Sequence, residues 1–187
     1  QAFFVSFLFN WMVTIKALLD NTIQSIIMAL AFCWLVLVIT TWNVAIGTLG
    51  LLAVILVVLV SAGFITCLGW TLGIIESIAC IVIIGVSVDY SVHIAHAYKT
   101  SMPSVEGDTK EIRVAKARDA TGSIGISLIS GVMTSVGATL FLMFCAITFF
   151  RKFGQFLFIT LIVSFLVAFF MLIPVLTLVG PVGGFCQ

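Results

Sequence analysis

Charge is what this sequence has least of. Only 8% of its 187 residues are Asp, Glu, Lys or Arg, against 63% that are hydrophobic, whereas an average soluble domain is about 25% charged. Eight basic and seven acidic side chains cannot clothe the solvated surface of a soluble fold of this length. That excludes a soluble globular domain and leaves a polytopic membrane protein. A net charge of +1 supplies no basic patch or stripe, so nucleic-acid partners are excluded as well.

Other absences narrow the chemistry. The five cysteines, Cys33, Cys67, Cys80, Cys145 and Cys186, lie far apart and mostly inside apolar runs, with no close pair of the zinc or redox kind. They read as small buried hydrophobes. Two histidines, His93 and His96, are too few for a histidine-rich di-iron oxygenase, and neither a Gly-rich phosphate loop nor a serine-nucleophile motif is present. The expectation is a protein that is not an enzyme and carries no cofactor. Asp89, His93 and His96 have helical spacing for a metal site, but three residues on one helix without another histidine make a poor one, so no metal is expected. The chain opens at Gln1 with no basic start, short apolar run and small-residue cleavage site, and is expected to be a piece of something longer.

What the sequence does have is length in its apolar runs. A membrane helix needs about 20 apolar residues, and five stretches reach that, at roughly 22–41, 44–66, 74–98, 121–147 and 154–179. They are far longer than the roughly 10 residues of a barrel strand, so the predicted fold is all-α, a polytopic transmembrane helix bundle. The first two are separated only by Thr41, Trp42 and Asn43, which predicts a tight antiparallel hairpin with an aromatic residue near the membrane surface. Residues 1–20 repeat Phe4, Phe7, Leu8, Trp11, Ile15 and Leu18 at three- and four-residue spacing beside a polar line of Ser6, Asn10 and Thr14. That predicts an amphipathic interfacial helix, with a truncated sixth span as the alternative.

Nine of the charges fall between Lys99 and Asp119. There, Asp108 followed by Glu111 predicts a capped short helix carrying Arg113, Lys116 and Arg118. Five basic residues on this side against Lys16, Arg151 and Lys152 on the other place loop 99–120, and the short tail 180–187, in the cytoplasm by the positive-inside rule. The second and fifth spans carry no charge and are expected to face lipid.

Three acids remain: Asp20 near an outer-side helix end, and two on the third span. Asp89 lies near its middle, where an aspartate costs about 2.5 to 3.5 kcal/mol on insertion scales and usually faces a bundle interior or wet cavity, marking an ion or proton pathway. The competing reading is a structural carboxylate hydrogen-bonded between helices. Gly85, Asp89 and His93 are four apart and stack on one face, where Gly85 admits a close neighbour and His93 exchanges protons with Asp89 or orients it. His96 reads as a polar residue near the cytoplasmic mouth. Glu76, at the outer end of the same span, serves either as a cap for the helix N-terminus or in access of substrate or cation. On the fourth span Ser123, Ser127, Gly131, Ser135 and Thr139 recur every four residues, broadened by Ser130 and Thr134. This is a helix-packing stripe, whose hydroxyls are also candidates to line the path to Asp89.

The segment Gly69-Trp70-Thr71-Leu72-Gly73-Ile74-Ile75-Glu76-Ser77-Ile78, followed by Gly85-Val86-Ser87-Val88-Asp89-Tyr90-Ser91-Val92-His93, resembles the Dispatched and Patched branch of the resistance, nodulation and division transporter superfamily. Ala117-Arg118-Asp119-Ala120-Thr121-Gly122-Ser123-Ile124, a turn at Phe149-Phe150-Arg151-Lys152-Phe153-Gly154, and Gly180-Pro181 are similar to the last two spans of that family. The resemblance implies two halves of six spans each, with this sequence as the end of the second half, from the final stretch of an outer domain through spans eight to twelve. It implies Asp89 as the tenth-span coupling acid with Ser87, Tyr90 and His93 as neighbours, H+ or Na+ as the coupling ion, and sterol or lipid-modified protein as the kind of cargo. The partners implied are the lipid bilayer, sterol and the missing N-terminal half, in a eukaryotic plasma membrane or endomembrane. A second function stays open beside transport: a lipid- or sterol-sensing module, or a structural subunit of a larger complex.

Overall fold

The computed structural model describes residues 7–67, 69, 74–101 and 109–180. Within them the chain forms helices α1 (Phe7–Thr41), α2 (Val44–Cys67), α3 (Ile74–Thr100), α4 (Thr109–Met143), α5 (Thr148–Val167) and α6 (Ile173–Val179), with a π-helical turn at Ala168–Leu172 joining the last two. No strand occurs among the described residues. Five helical stretches are long and apolar enough to cross a membrane: Asn10–Thr41, Val44–Phe64, Ser77–Thr100, Thr109–Met143 and Thr148–Val179. The fold is an all-α bundle of five membrane-length helices.

The turn between α1 and α2 is built by its own three residues. Trp42 takes a left-handed φ of 50°, which breaks the helical path. Asn43 then caps α2, its Oδ1 accepting from the Ala45 amide at 2.9 Å and the Ile46 amide at 3.4 Å, which satisfies donors that an unpaired helix start leaves open. The Thr41 hydroxyl donates back to the Leu37 carbonyl at 2.7 Å. The two helices then close on glycine: a Cβ at Gly47 would lie 2.8 Å from Val38 Cγ2, and one at Gly50 3.1 Å from Leu37 Cδ2.

Several boundaries differ from the expectation. No break separates an interfacial helix from the first span; α1 runs through residues 20–22, because a three-to-four apolar repeat and a membrane span share one helical period and nothing between them stops the helix. At about 52 Å for its 35 residues, α1 outreaches its partner α2. In the same way Glu111, Arg113, Lys116 and Arg118 lie on the first turns of α4, continuous with the fourth span, and not on a separate short helix. The turn expected at Phe149–Gly154 sits earlier, at residues 144–147. Here the Phe144 and Cys145 amides reach the Phe141 and Leu142 carbonyls, each at 3.2 Å, and Gly154 already lies within α5. Asp108, residues 1–6 and the tail from 181 lie outside the described residues.

α3 is the hub, in contact with α1, α2, α4 and α5. Tyr90, Ile94, Ala97 and Tyr98 enter one apolar cluster with Leu128, Leu161 and Leu176, while Ile84 joins Cys33, Leu37 and Val54 in another. The charge-free spans, expected to face lipid, are not the least covered of the five. Those formed by α2 and by α5 with α6 are more buried than those formed by α1 and α4. Lipid tails are as apolar as a helix interior, so lack of charge says nothing about which side a span faces. The described cysteines are likewise mixed: Cys33 is buried, Cys80 and Cys145 are half-buried and Cys67 is exposed.

Candidate functional site

Asp89 is the sixteenth residue of the 27-residue α3, some 16 Å by helical rise from its last residue. It opens into a cleft of about 500 Å³ between α3 and α4, lined by Asp89, Tyr90 and His93 on one side and by Ile124, Ser127, Leu128, Gly131 and Ser135 on the other. The four-residue spacing on each helix is what brings them together, since it keeps each row on one face. His93, about 6 Å along the axis from Asp89, is the ionisable group acting electrostatically on the carboxylate. Tyr90 joins the cleft to α5. It is 8% exposed, and its ring meets Phe165 of α5 edge-on at 6.5 Å between centroids.

The cleft faces outward. Gly85, Asp89 and His93 are exposed on α3, as are Ser127 and Gly131 on α4, and a Cβ at Gly85 or Gly131 would meet nothing within 4 Å. Gly85 therefore admits no neighbour from this chain, contrary to the close approach expected of it. The α4 stripe is not a packing seam either. Ser127, Gly131 and Ser135 line the cleft, Thr139 is buried, Ser123 and Ser130 are exposed, and Thr134 turns outward with its hydroxyl on the Ser130 carbonyl at 2.9 Å.

Ser87 is not part of the cleft. Two residues from Asp89 is about 200° around a helix, and Ser87 is accordingly buried on the opposite side. Its hydroxyl donates to the Ile83 carbonyl at 2.7 Å, and its carbonyl accepts from Ser164 of α5 at 3.5 Å. His96 also lies away from the cleft. Its Nδ1 is 3.2 Å from the Thr40 carbonyl, so Nδ1 carries the proton, and the ring staples α3 to the end of α1, where a donor suits the unpaired carbonyls. Glu76 falls on the first turn of α3, and its side chain lies outside the described residues. Among those residues no three of His, Cys, Asp and Glu gather as a metal site would require.

A larger hollow of about 790 Å³ runs along α4 from Lys110 to Ser123. Among the described residues its lining comes from α4 alone, with Lys110, Glu111, Arg118 and Asp119 as its charges. The feature that composition and spacing missed is the contact of Tyr90 with Phe165, for which the sole signal was an aromatic residue beside an intramembrane acid.

The profile of the sterol-sensing domain of SREBP cleavage-activation matches residues 39–180, from the end of α1 past the end of α6. The chain is 34% identical over 139 residues to human protein dispatched homolog 3, covering 67% of this chain and 10% of that protein. It is 26% identical over 168 residues to human protein dispatched homolog 1, covering 89% of this chain and 10% of that one. The mouse protein dispatched homolog 3 is 27% identical over 140 residues, 73% of this chain and 10% of its own. The chain thus spans about a tenth of the length of these relatives. A profile reaching over most of the sequence, from the end of the first span through the other four, places it: the chain belongs to the sterol-sensing domain family, as a Dispatched/Patched-like membrane region of the resistance, nodulation and division superfamily.

Proposed function

We propose that this chain is the C-terminal membrane half of a cation-gradient-driven transporter for lipophilic cargo, such as sterol or lipid-modified protein, with Asp89 as the coupling carboxylate. One observation carries the reading: the acid deepest in the membrane lines a polar cleft that opens away from its own helix bundle. A carboxylate facing hydrocarbon costs about 2.5 to 3.5 kcal/mol on insertion scales, so protein normally covers it. The proposed cover is the N-terminal half, which brings the partner acids. H+ or Na+ at Asp89 removes the charge; Tyr90, in the same cleft and packed on Phe165, carries the resulting shift into α5, and the equilibrium moves by the differential affinity of the ion for the two arrangements. His93 lies on the side of the 101–109 connection, which this reading places in the cytoplasm, and relays protons between Asp89 and that side. The protein would sit in a eukaryotic plasma membrane or endomembrane.

Replacing Asp89 with Asn is expected to abolish gradient-dependent export of lipophilic cargo by the full-length protein in vesicles, with normal abundance in the membrane. Undiminished gradient dependence in that variant sinks the coupling role. The second reading, a sterol-sensing or structural module, is favoured by the name of the matching profile. Under it the same variant alters assembly or sterol binding and leaves flux intact.

A further inference from the structure

The last membrane-length helix is two rods with a joint. At the joint the Ile173 amide bonds to the Ala168 carbonyl, five residues back, which inserts one residue into the turn. Pro174 follows at the start of α6. It has no amide proton to resume the four-residue register, and its ring crowds the carbonyl four residues earlier. The seven residues of α6 therefore hang from a turn whose hydrogen bonding differs from the helices on either side.

The far end of α6 is clasped by α3 and α4. Arg113 donates from Nη1 to the Leu178 carbonyl at 2.6 Å. Gly180 lies so close under Tyr98 that any Cβ there would run into the phenol and into the Leu176 carbonyl. Yet the two clasping residues are themselves incompletely bonded. The Tyr98 hydroxyl, on a side chain 1% exposed, and Arg113 Nε are both buried without a hydrogen-bond partner among the described residues. The Arg113 charge acts on the Tyr98 phenol, so the two donors share one neighbourhood. Buried donors without acceptors are costly and uncommon, and each calls for a reason. Here both meet the far end of a segment whose other end is a joint, which is the pattern expected if that segment has a second seat.

We propose that α6 is a switch segment with two registers. Relaxing the π turn to the α register moves α6 by one residue, about 1.5 Å along and 100° around its axis. That frees the Leu178 carbonyl from Arg113 Nη1 and turns other carbonyls of the last turn toward the Tyr98 hydroxyl and Arg113 Nε. The movement reaches the cleft directly. Phe169 of the π turn and Ile173 of α6 pack in the same small gap as Ile124 and Leu128, which also wall the Asp89 cleft. The two registers present different backing to that wall whether or not Asp89 couples an ion.

The test uses the full-length protein in lipid nanodiscs, its cysteines replaced, with spin labels at Val114→Cys and Leu178→Cys, two exposed positions on α4 and α6. Pulsed electron resonance is expected to give two distances. Pro174→Ala, which restores the amide and removes the ring, enlarges the population absent from the structure described here. Tyr98→Phe loses nothing in the present register but an acceptor-seeking hydroxyl in the other, and depletes that second population about fivefold, the weight of one net hydrogen bond. One unchanged distance in the parent and in both variants overturns the proposal, as does a shift of both variants in the same direction. Should Pro174→Ala not fold, Tyr98→Phe decides alone: depletion upholds the switch and an unchanged distribution overturns it.

Discussion

The α1–α2 hairpin and the α3–α4 pair use the same small residues to opposite ends. In the hairpin, Gly47 and Gly50 are pressed against Val38 and Leu37, and Thr41 and Asn43 bond to the helix ends on either side of the turn. Between α3 and α4, Gly85 and Gly131 meet empty space, and the polar groups beside them line an outward cleft. Missing side chains in the first region let helices touch; in the second they leave room. A glycine in a membrane helix is thus a statement about approach only when something is there to approach, and the α3–α4 face is shaped for what lies outside this chain.

The strongest way to break the comparison is to fill the hairpin. Gly47→Leu drives a side chain into Val38, whose backbone N and Cα lie 3.3 Å from the position of the new Cβ. Overpacking of this kind costs about 1 to 3 kcal/mol, read as a lower thermal midpoint in detergent and reduced abundance in membranes. A midpoint equal to that of the parent protein would mean the hairpin is not the tight contact described.

Next in size is the cap. Asn43→Ala removes the acceptor for two amides at the start of α2 and is expected to cost about 1 kcal/mol; Asn43→Ser, which keeps a capping oxygen, recovers most of it. Loss of the same size in both variants would assign the effect to burial of Asn43 and not to capping.

The hairpin itself was legible from residues alone, because only Thr41-Trp42-Asn43 separates two membrane-length apolar runs; its Asn43 cap and glycine contacts were not. The Gly85–Asp89–His93 face was legible for an equally local reason, the four-residue spacing. What escaped was whatever depends on a third body. Ser87 sits beside Asp89 in sequence but across the helix from it, and only α5 reveals which side is which. The burial of α2 and α5 could not be read because lipid and helix interior reward the same side chains. The π turn has no signature of its own beyond Pro174, and the continuity of α1 through residue 20 left no mark because no stop signal interrupts it.

The smallest expected effect discriminates most sharply, because it places the same methyl group in both regions. At Gly50 a Cβ would come within 3.1 Å and 3.3 Å of the Leu37 methyls; at Gly131 it would meet nothing within 4 Å. Gly50→Ala should therefore lower the midpoint of the full-length protein. Gly131→Ala should leave it within about ±0.5 kcal/mol, the usual range for a site without contacts, offset further by the better helix propensity of alanine. Its consequence should appear instead in transport, because the methyl narrows the cleft opposite Asp89. Equal stability losses at the two positions would mean that a helix from the rest of the protein packs on Gly131 as tightly as Leu37 packs on Gly50. The cleft would then be a closed seam with no room for a hydrated ion, and Asp89 would be left with the structural role that the coupling reading denies it.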